Sequence, residues 1–344
     1  MDKFLKKEDQ LGVLIQEAAA GLFNRLKVLD VDKLDLPYHC LHYYKSSHSR
    51  RLFFSIETSA HLLYRSISMC GKTPSEIILM DYGAGVGTLY LLAKLIGCKK
   101  VIYNDHLEDW KKSAQSIANA INIQINEYIV GDIGDCLHRL DENGIKCDLI
   151  ISRNVVEHIY KLDVFYSCVF RKQPNSIIFS STTANIKNPA AVLKHILWHR
   201  KWEKVYQGKR MVFIQRQSPG MSAERVKALA KSTRGLALSD LENAIDDFRK
   251  TGVKPDSSEF RSNTCDPANG VWAEDLLSFE QYRQFIDETR YEVRFEAGFW
   301  DTHYRNNFMN FAGRLLNRII SQGGSLSMAV APFIYVIAVP VSRK

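Results

Sequence analysis

No two cysteines in the chain are spaced as CxxC, and the seven present (Cys40, Cys70, Cys98, Cys136, Cys147, Cys168, Cys265) are scattered. That pattern supports neither a zinc site nor a disulfide framework, and it points to a reducing, cytosolic compartment. The stretch Met1 to Gln10 alternates lysine with acid and has no apolar segment of the kind a secretory signal needs. Long hydrophobic runs are also missing. The longest, Leu326 to Val341, is interrupted by Pro332 and Pro340 and falls short of the roughly 20 residues that cross a bilayer. It is expected as buried strand. The formal net charge is +8, yet no block of lysine and arginine occurs, so an ordinary surface is expected rather than a nucleic-acid partner. There is no internal repeat and no low-complexity segment. What remains is 344 residues with 46% hydrophobic content, enough for one large α/β domain or a domain with a sizeable insertion.

Apolar positions recur at helical spacing up to about Leu36, and again from Phe54 to Arg65, which predicts an N-terminal helical cap over residues 1–75. From Ile77 the pattern changes to short apolar runs separated by amphipathic stretches: Ile77 to Met80, Val101 to Tyr103, Tyr128 to Val130, Leu149 to Ser152 and Ile177 to Ser180. Repeated β-α units in a parallel sheet produce such a pattern. The next strand candidate, Tyr291 to Glu296, comes only after an excursion of roughly 110 residues, where connections usually take 2 to 6. Residues 181–280 are therefore assigned to an insertion, with helix expected from Ala223 to Lys250 and loop from Lys254 to Gly270. An amphipathic stretch, His303 to Ile320, then leads to the apolar run ending at Val339. The expectation is an α/β, Rossmann-like, seven-stranded, mostly parallel sheet with an antiparallel last strand, its core formed by residues 76–180 and 281–344.

Asp81-Tyr82-Gly83-Ala84-Gly85-Val86-Gly87 follows the first strand run and opens an amphipathic stretch from Thr88 to Leu95. Glycines allow a tight turn and close approach of a ligand, and the helix start offers free N–H groups. The third glycine comes one position too early for the dinucleotide fingerprint G-x-G-x-x-G. The second run ends in Asn104-Asp105, the third in Gly131-Asp132-Ile133, and the fourth in Arg153-Asn154-Val155-Val156-Glu157-His158-Ile159. Taken in this order, the segments resemble the class I S-adenosylmethionine-dependent methyltransferases, in particular ubiquinone-type and polysaccharide-associated small-molecule enzymes. The resemblance covers Ile77 to Ser180 well and the cap and insertion hardly at all. It implies S-adenosylmethionine as cofactor, with Asp81, Gly83, Gly85 and Gly87 around its methionine end and Asp105 on the ribose. It further implies Asp132 on the adenine amino group, Ile133 over the ring, and Asn154 beside them.

His158 and Glu157 are the catalytic candidates, since an imidazole after the fourth strand can take a proton near neutral pH. The alternative is that Glu157 and His158 only open a helix. In the ubiquinone-type relatives an extra acid stands where Asn154 does, and with the Glu-His pair it can hold a metal. Asn154 breaks that set, so no metal is expected. An Asn/Asp-Pro-Pro-aromatic sequence, used for amino nitrogens, is absent after the fourth strand, which favours an oxygen acceptor on a small molecule or glycan. RNA or protein as acceptor, or cofactor binding without catalysis, are the alternatives. His39, His42, Tyr43, Tyr44 and His48, with Trp198 to Trp202, are read either as acceptor pocket or as core. The insertion is expected as a lid over the acceptor. The stripe Phe308, Phe311, Leu315, Ile319 in His303 to Ile320 is expected to pack on the sheet, with peripheral membrane contact as its second reading.

Overall fold

Each apolar run expected as a strand contains one: β1 (Ile78–Tyr82), β2 (Lys100–Asp105), β3 (Glu127–Val130), β4 (Leu149–Arg153), β5 (Ile177–Thr182), β6 (Tyr291–Ala297) and β7 (Ile334–Pro340). The structure is a computed structural model, and it describes residues 3–257 and 262–341. The strands form one sheet in the order β3-β2-β1-β4-β5-β7-β6. β7 pairs antiparallel with both neighbours, and the other pairings are parallel. The Rossmann-like expectation is met. From β1 the chain winds outward through β2 and β3, then returns to β4 on the other side of β1. The register sets Tyr82 opposite both Asn104 and Ser152, and Asp105 opposite Val130, so four carboxyl ends lie level along one edge.

The helices are α1 (Gln10–Lys27), α2 (Tyr38–Tyr43), α3 (Leu52–Cys70), α4 (Leu89–Leu95), α5 (Glu108–Ala120), α6 (Ile133–Glu142), α7 (Leu162–Lys172), α8 (Pro189–Gln217), α9 (Ala223–Ser232), α10 (Leu238–Thr251), α11 (Phe279–Phe285), α12 (Asn307–Ser321) and α13 (Gly324–Val330). On one face of the sheet, Ile15 and Leu22 of α1, Ile56 and Leu63 of α3 and Leu92 of α4 bury against Leu79, Val101, Ile151 and Phe179. On the other, Leu137 of α6, Phe165 of α7 and Tyr282 of α11 bury against Met80, Ile102, Ile150 and Val336. Covering both faces explains why the strands read as continuous apolar runs rather than alternating ones.

The insertion has a small core of its own, built on Ile214, Val226, Leu229, Leu241, Ile245 and Phe248. The helix expected from Ala223 to Lys250 is broken between α9 and α10. Buried Arg210 holds the break: its Nε donates to Ala230 O at 2.9 Å, Nη1 to Arg234 O at 3.1 Å, and Nη2 to Glu203 Oε1 at 2.7 Å. The guanidinium thereby satisfies carbonyls left open where α9 ends. α11 crosses the expected boundary at residue 280 and belongs to the second face of the sheet.

Two expectations near the C-terminal end are corrected. The run Leu326 to Val341 is strand only from Ile334. Pro332, which cannot donate to a helix or a ladder, separates that strand from α13. The apolar stripe of α12 does not pack on the sheet: Phe308, Phe311 and Leu315 are 73%, 62% and 51% exposed. Only Gly313 of this helix is buried. Apolar periodicity shows that a helix has an apolar face, not which neighbour that face meets.

Replacing Arg210 with Ala leaves the Glu203 carboxylate without its main cation and the α9 carbonyls open, at a cost of about 3–5 kcal/mol. The expected result is faster amide hydrogen exchange in α8 to α10, with protection of β1 to β5 unchanged.

Candidate functional site

A cavity of about 670 Å³ opens along the level carboxyl ends, bounded by the glycine loop, Asp105, Asp132, Ile133, Asn154 and His158. Its floor is the turn that leaves β1. Gly83 and Gly85 have φ of +67° and +52°, a region open to glycine at little cost. A Cβ on Gly83 would lie 2.6 Å from a Val155 methyl, and one on Gly87 would lie 2.8 Å from Ala84 O. The expected loop is therefore required by backbone shape and by close packing against the segment after β4.

Asp105 ties the second strand to this loop. Its Oδ2 accepts from Gly85 N at 2.9 Å and its Oδ1 from Leu107 N at 3.2 Å. Each oxygen keeps acceptor capacity for a ligand. Asp81 is buried, and its Oδ2 accepts from Tyr90 N at 3.0 Å, in the first turn of α4. Burial pushes its carboxyl up to about 7 against the opposing pull of Arg153. Asp132 stands exposed at the rim, where it also caps α6 by accepting from Asp135 N at 3.0 Å, and Ile133 is buried beside it.

The two catalytic candidates part company. His158 lines the cavity, and its Nδ1 lies 2.8 Å from Trp272 O, so that nitrogen carries the proton and Nε2 is left to accept one. Glu157 does not line the cavity. It is wholly buried behind it, with neither carboxylate oxygen in a hydrogen bond of ordinary geometry, and burial raises its pKa. Asn154 lines the cavity, holds φ of +56°, and donates its N–H to Ser181 O at 2.8 Å.

Arg153 is a site residue that the sequence pattern does not single out, because it reads as the polar end of an apolar strand. Its Nη1 donates to Ser55 O at 3.0 Å and Thr58 Oγ1 at 2.9 Å, and no carboxylate of the described residues pairs with it. Desolvation lowers its pKa, with Tyr43 and Asp81 opposing. A second cavity of about 200 Å³ shares Tyr43, His48, Arg153 and Asn154 with the first. His48 is 6% exposed, its Nε2 has no partner, and burial together with Arg153 moves its pKa down to about 3. Of the His/Tyr cluster, Tyr43 and His48 reach these cavities, while His39, His42 and Tyr44 do not. Trp198 to Trp202 also stay out, and Trp202 stacks on Tyr206 at 5.3 Å. Among the described residues the insertion enters the wall of the first cavity at Asn269, Gly270 and Val271, and Ser181 and Thr183 line the second.

No protein-family model and no curated protein matches the chain. Among solved structures, it is similar to a SAM-dependent methyltransferase from Archaeoglobus fulgidus at 15% identity and a TM-score of 0.42, over 89% of this chain and all of that one. It is also similar to the plantazolicin methyltransferase BpumL, solved with SAH, at 14% identity and a TM-score of 0.42, over 96% of this chain and 99% of that one. A SAM-dependent methyltransferase from Agrobacterium tumefaciens matches at 13% identity and a TM-score of 0.31, over 37% of this chain and 44% of that one. At such identities, the reading of the site rests on its own geometry.

Asp81 carries a testable pH signature. Its folded pKa of about 7 lies above the ordinary 3.8, so the folded state binds this proton more tightly than the unfolded one. Its contribution to stability is full below about 4 and is lost as pH rises through 7. Asp81→Asn, which can still accept from Tyr90 N, should flatten that decline. Thermal unfolding followed from pH 4 to 8 checks it. Equal slopes for parent and variant would show that another group is responsible.

Proposed function

We propose that the protein is an S-adenosylmethionine-dependent methyltransferase that methylates an oxygen of a small molecule or glycan. The observation that carries this reading is the first cavity, lined together by the glycine loop, Asp105, Asp132 and Arg153, which has no acidic partner among the described residues. The donor set fits the cofactor part by part. Asp105 would take the ribose hydroxyls, and Asp132 with Ile133 the adenine. The Arg153 guanidinium would answer the methionine carboxylate, and the loop turned by Gly83 and Gly85 would leave room for the chain between. When bound, S-adenosylmethionine supplies a methyl group on a positively charged sulfur, open to in-line attack.

The rest is the work of this chain. Positioning and exclusion of water supply most of the acceleration in such a displacement. Gly270 and Val271 of the insertion line the cavity beside Tyr160, and Tyr43 of the cap lines it as well. The imidazole of His158 lines this space with its Nε2 unbonded and is the group placed to accept the proton of a hydroxyl acceptor. His48 is a poor base here, because its Nε2 is buried and burial together with Arg153 resists its protonation.

Calorimetry should give micromolar affinity for S-adenosylmethionine or its demethylated product, and none for NADH. Asp105→Ala and Arg153→Lys should each weaken binding by about tenfold or more, as expected for loss of a charge-assisted hydrogen bond. Unchanged affinity in Asp105→Ala would remove the ribose assignment. Binding of NADH without S-adenosylmethionine would remove the whole reading.

A further inference from the structure

α12 has its apolar face turned outward. Asn310, Gly313 and Asn317, spaced three and four apart, form the side that meets the body. Asn310 accepts from Tyr304 N at 2.7 Å and donates to Tyr304 O at 2.8 Å. Asn317 does the same with Trp300, at 2.6 Å and 2.9 Å. Between them, a Cβ on Gly313 would come within 2.6 Å of Asp301 O, so the helix lies as close to this segment as glycine permits. Rotating the helix to bury its stripe would break all four hydrogen bonds. The opposite side carries Phe308, Phe311 and Leu315, and Leu326 of α13 adds a further apolar side chain, 59% exposed.

Charge decides what covers this face. From Thr302 to Val341 the sequence has Arg305, Arg314 and Arg318 and no aspartate or glutamate. All three arginines are exposed. A second copy packed on this face would set arginine against arginine, with no acid from residues 302–341 to answer them. An anionic lipid surface answers both features, with acyl chains for the phenylalanines and phosphates for the arginines. Among the described residues no helix is long and apolar enough to cross a membrane, so the contact is one of lying in the interface.

We propose that α12 docks the protein on an anionic membrane surface, with Phe308, Phe311 and Leu315 inserted among the lipids and Arg314 and Arg318 on the headgroups. The segment that fixes α12 also carries Asp301, whose Oδ2 accepts from Nε and Nη2 of Arg51 at 3.2 Å. Arg51 lines the second cavity, so the segment under the docked helix stands one ion pair away from the site. Docking does not depend on the methyl-transfer reading, and its test is independent of it.

The test is flotation of the full chain with phosphatidylcholine vesicles, with and without phosphatidylglycerol. The protein should float with the anionic vesicles at low salt and sink with the neutral ones. Phe308→Ser with Phe311→Ser should lower the partition by at least about tenfold, since each removes a large apolar side chain from the lipid. Arg314→Ala with Arg318→Ala should abolish the preference for phosphatidylglycerol. These side chains face solvent, so circular dichroism and melting temperature should match the parent and separate loss of docking from loss of fold. Protein that stays at the bottom with both vesicles overturns the proposal. So does dimerisation in sedimentation that Phe308→Ser with Phe311→Ser abolishes while vesicles fail to bind, since a second copy would then be the cover.

Discussion

Parallel strands cannot be joined by tight turns, and where the winding leaves β1 toward β2 on one side and toward β4 on the other, the two crossovers diverge. The carboxyl ends of β1 and β4 are left with no helix running between them. The floor of the site follows from this gap. The loop after β1 must turn back sharply into α4, which places Gly83 at positive φ. The segment after β4 must pass close above it, which is why Val155 occupies the space a Gly83 side chain would need. The cap then seals the start of α4, where Thr88 Oγ1 and Ser59 Oγ lie 2.8 Å apart and Thr88 donates to Ser55 O at 3.1 Å.

The same gap concentrates charge that the protein does not neutralise internally. Asp81 is shifted up and Arg153 down, each because burial penalises its ionised form more than the other relieves it. Were the two in direct contact, each would hold the other nearer its ordinary value. A site of this kind favours a ligand with both a carboxylate and a cationic centre, because such a ligand supplies each group with the partner it lacks. A nucleotide could use Asp105 for its ribose as well, so the early third glycine is what separates this loop from a dinucleotide site.

How much of this is legible in the sequence depends on the range of the interaction involved. Strand runs such as Leu149 to Ser152 are legible because burial on both faces makes them apolar at nearly every position. The glycine loop is legible because the need for positive φ is local. Arg153 does not stand out, and His48 stands out only as one of five histidines and tyrosines read as pocket or core, since their environment is built by contacts that span the chain: Arg153 meets Ser55, 98 residues earlier. Glu157 looks equivalent to His158 because they are adjacent, yet they sit in a single 3-10 turn, where neighbouring side chains point about 120° apart. One meets the cavity and the other is buried behind it. The break between α9 and α10 is hidden for the same reason, as it is held by Arg210 from another helix.

α12 shows the limit most clearly. Its helical period is plain in the sequence, and an apolar face that points inward is the default for a globular protein. What reverses it is a set of three small or amide residues on the other side, Asn310, Gly313 and Asn317, of which the two amides bond to the extended segment from Trp300 to Tyr304. Amides that satisfy that segment's free N–H and C=O groups hold more firmly than an apolar stripe whose alternatives are water or another apolar surface, because unpaired backbone groups against the body carry a penalty that exposed phenylalanines do not. The orientation of the helix is therefore set by hydrogen bonding and not by the side on which its apolar residues fall. The exposed stripe is the consequence, and the absence of acids from residues 302–341 limits which surfaces can relieve it.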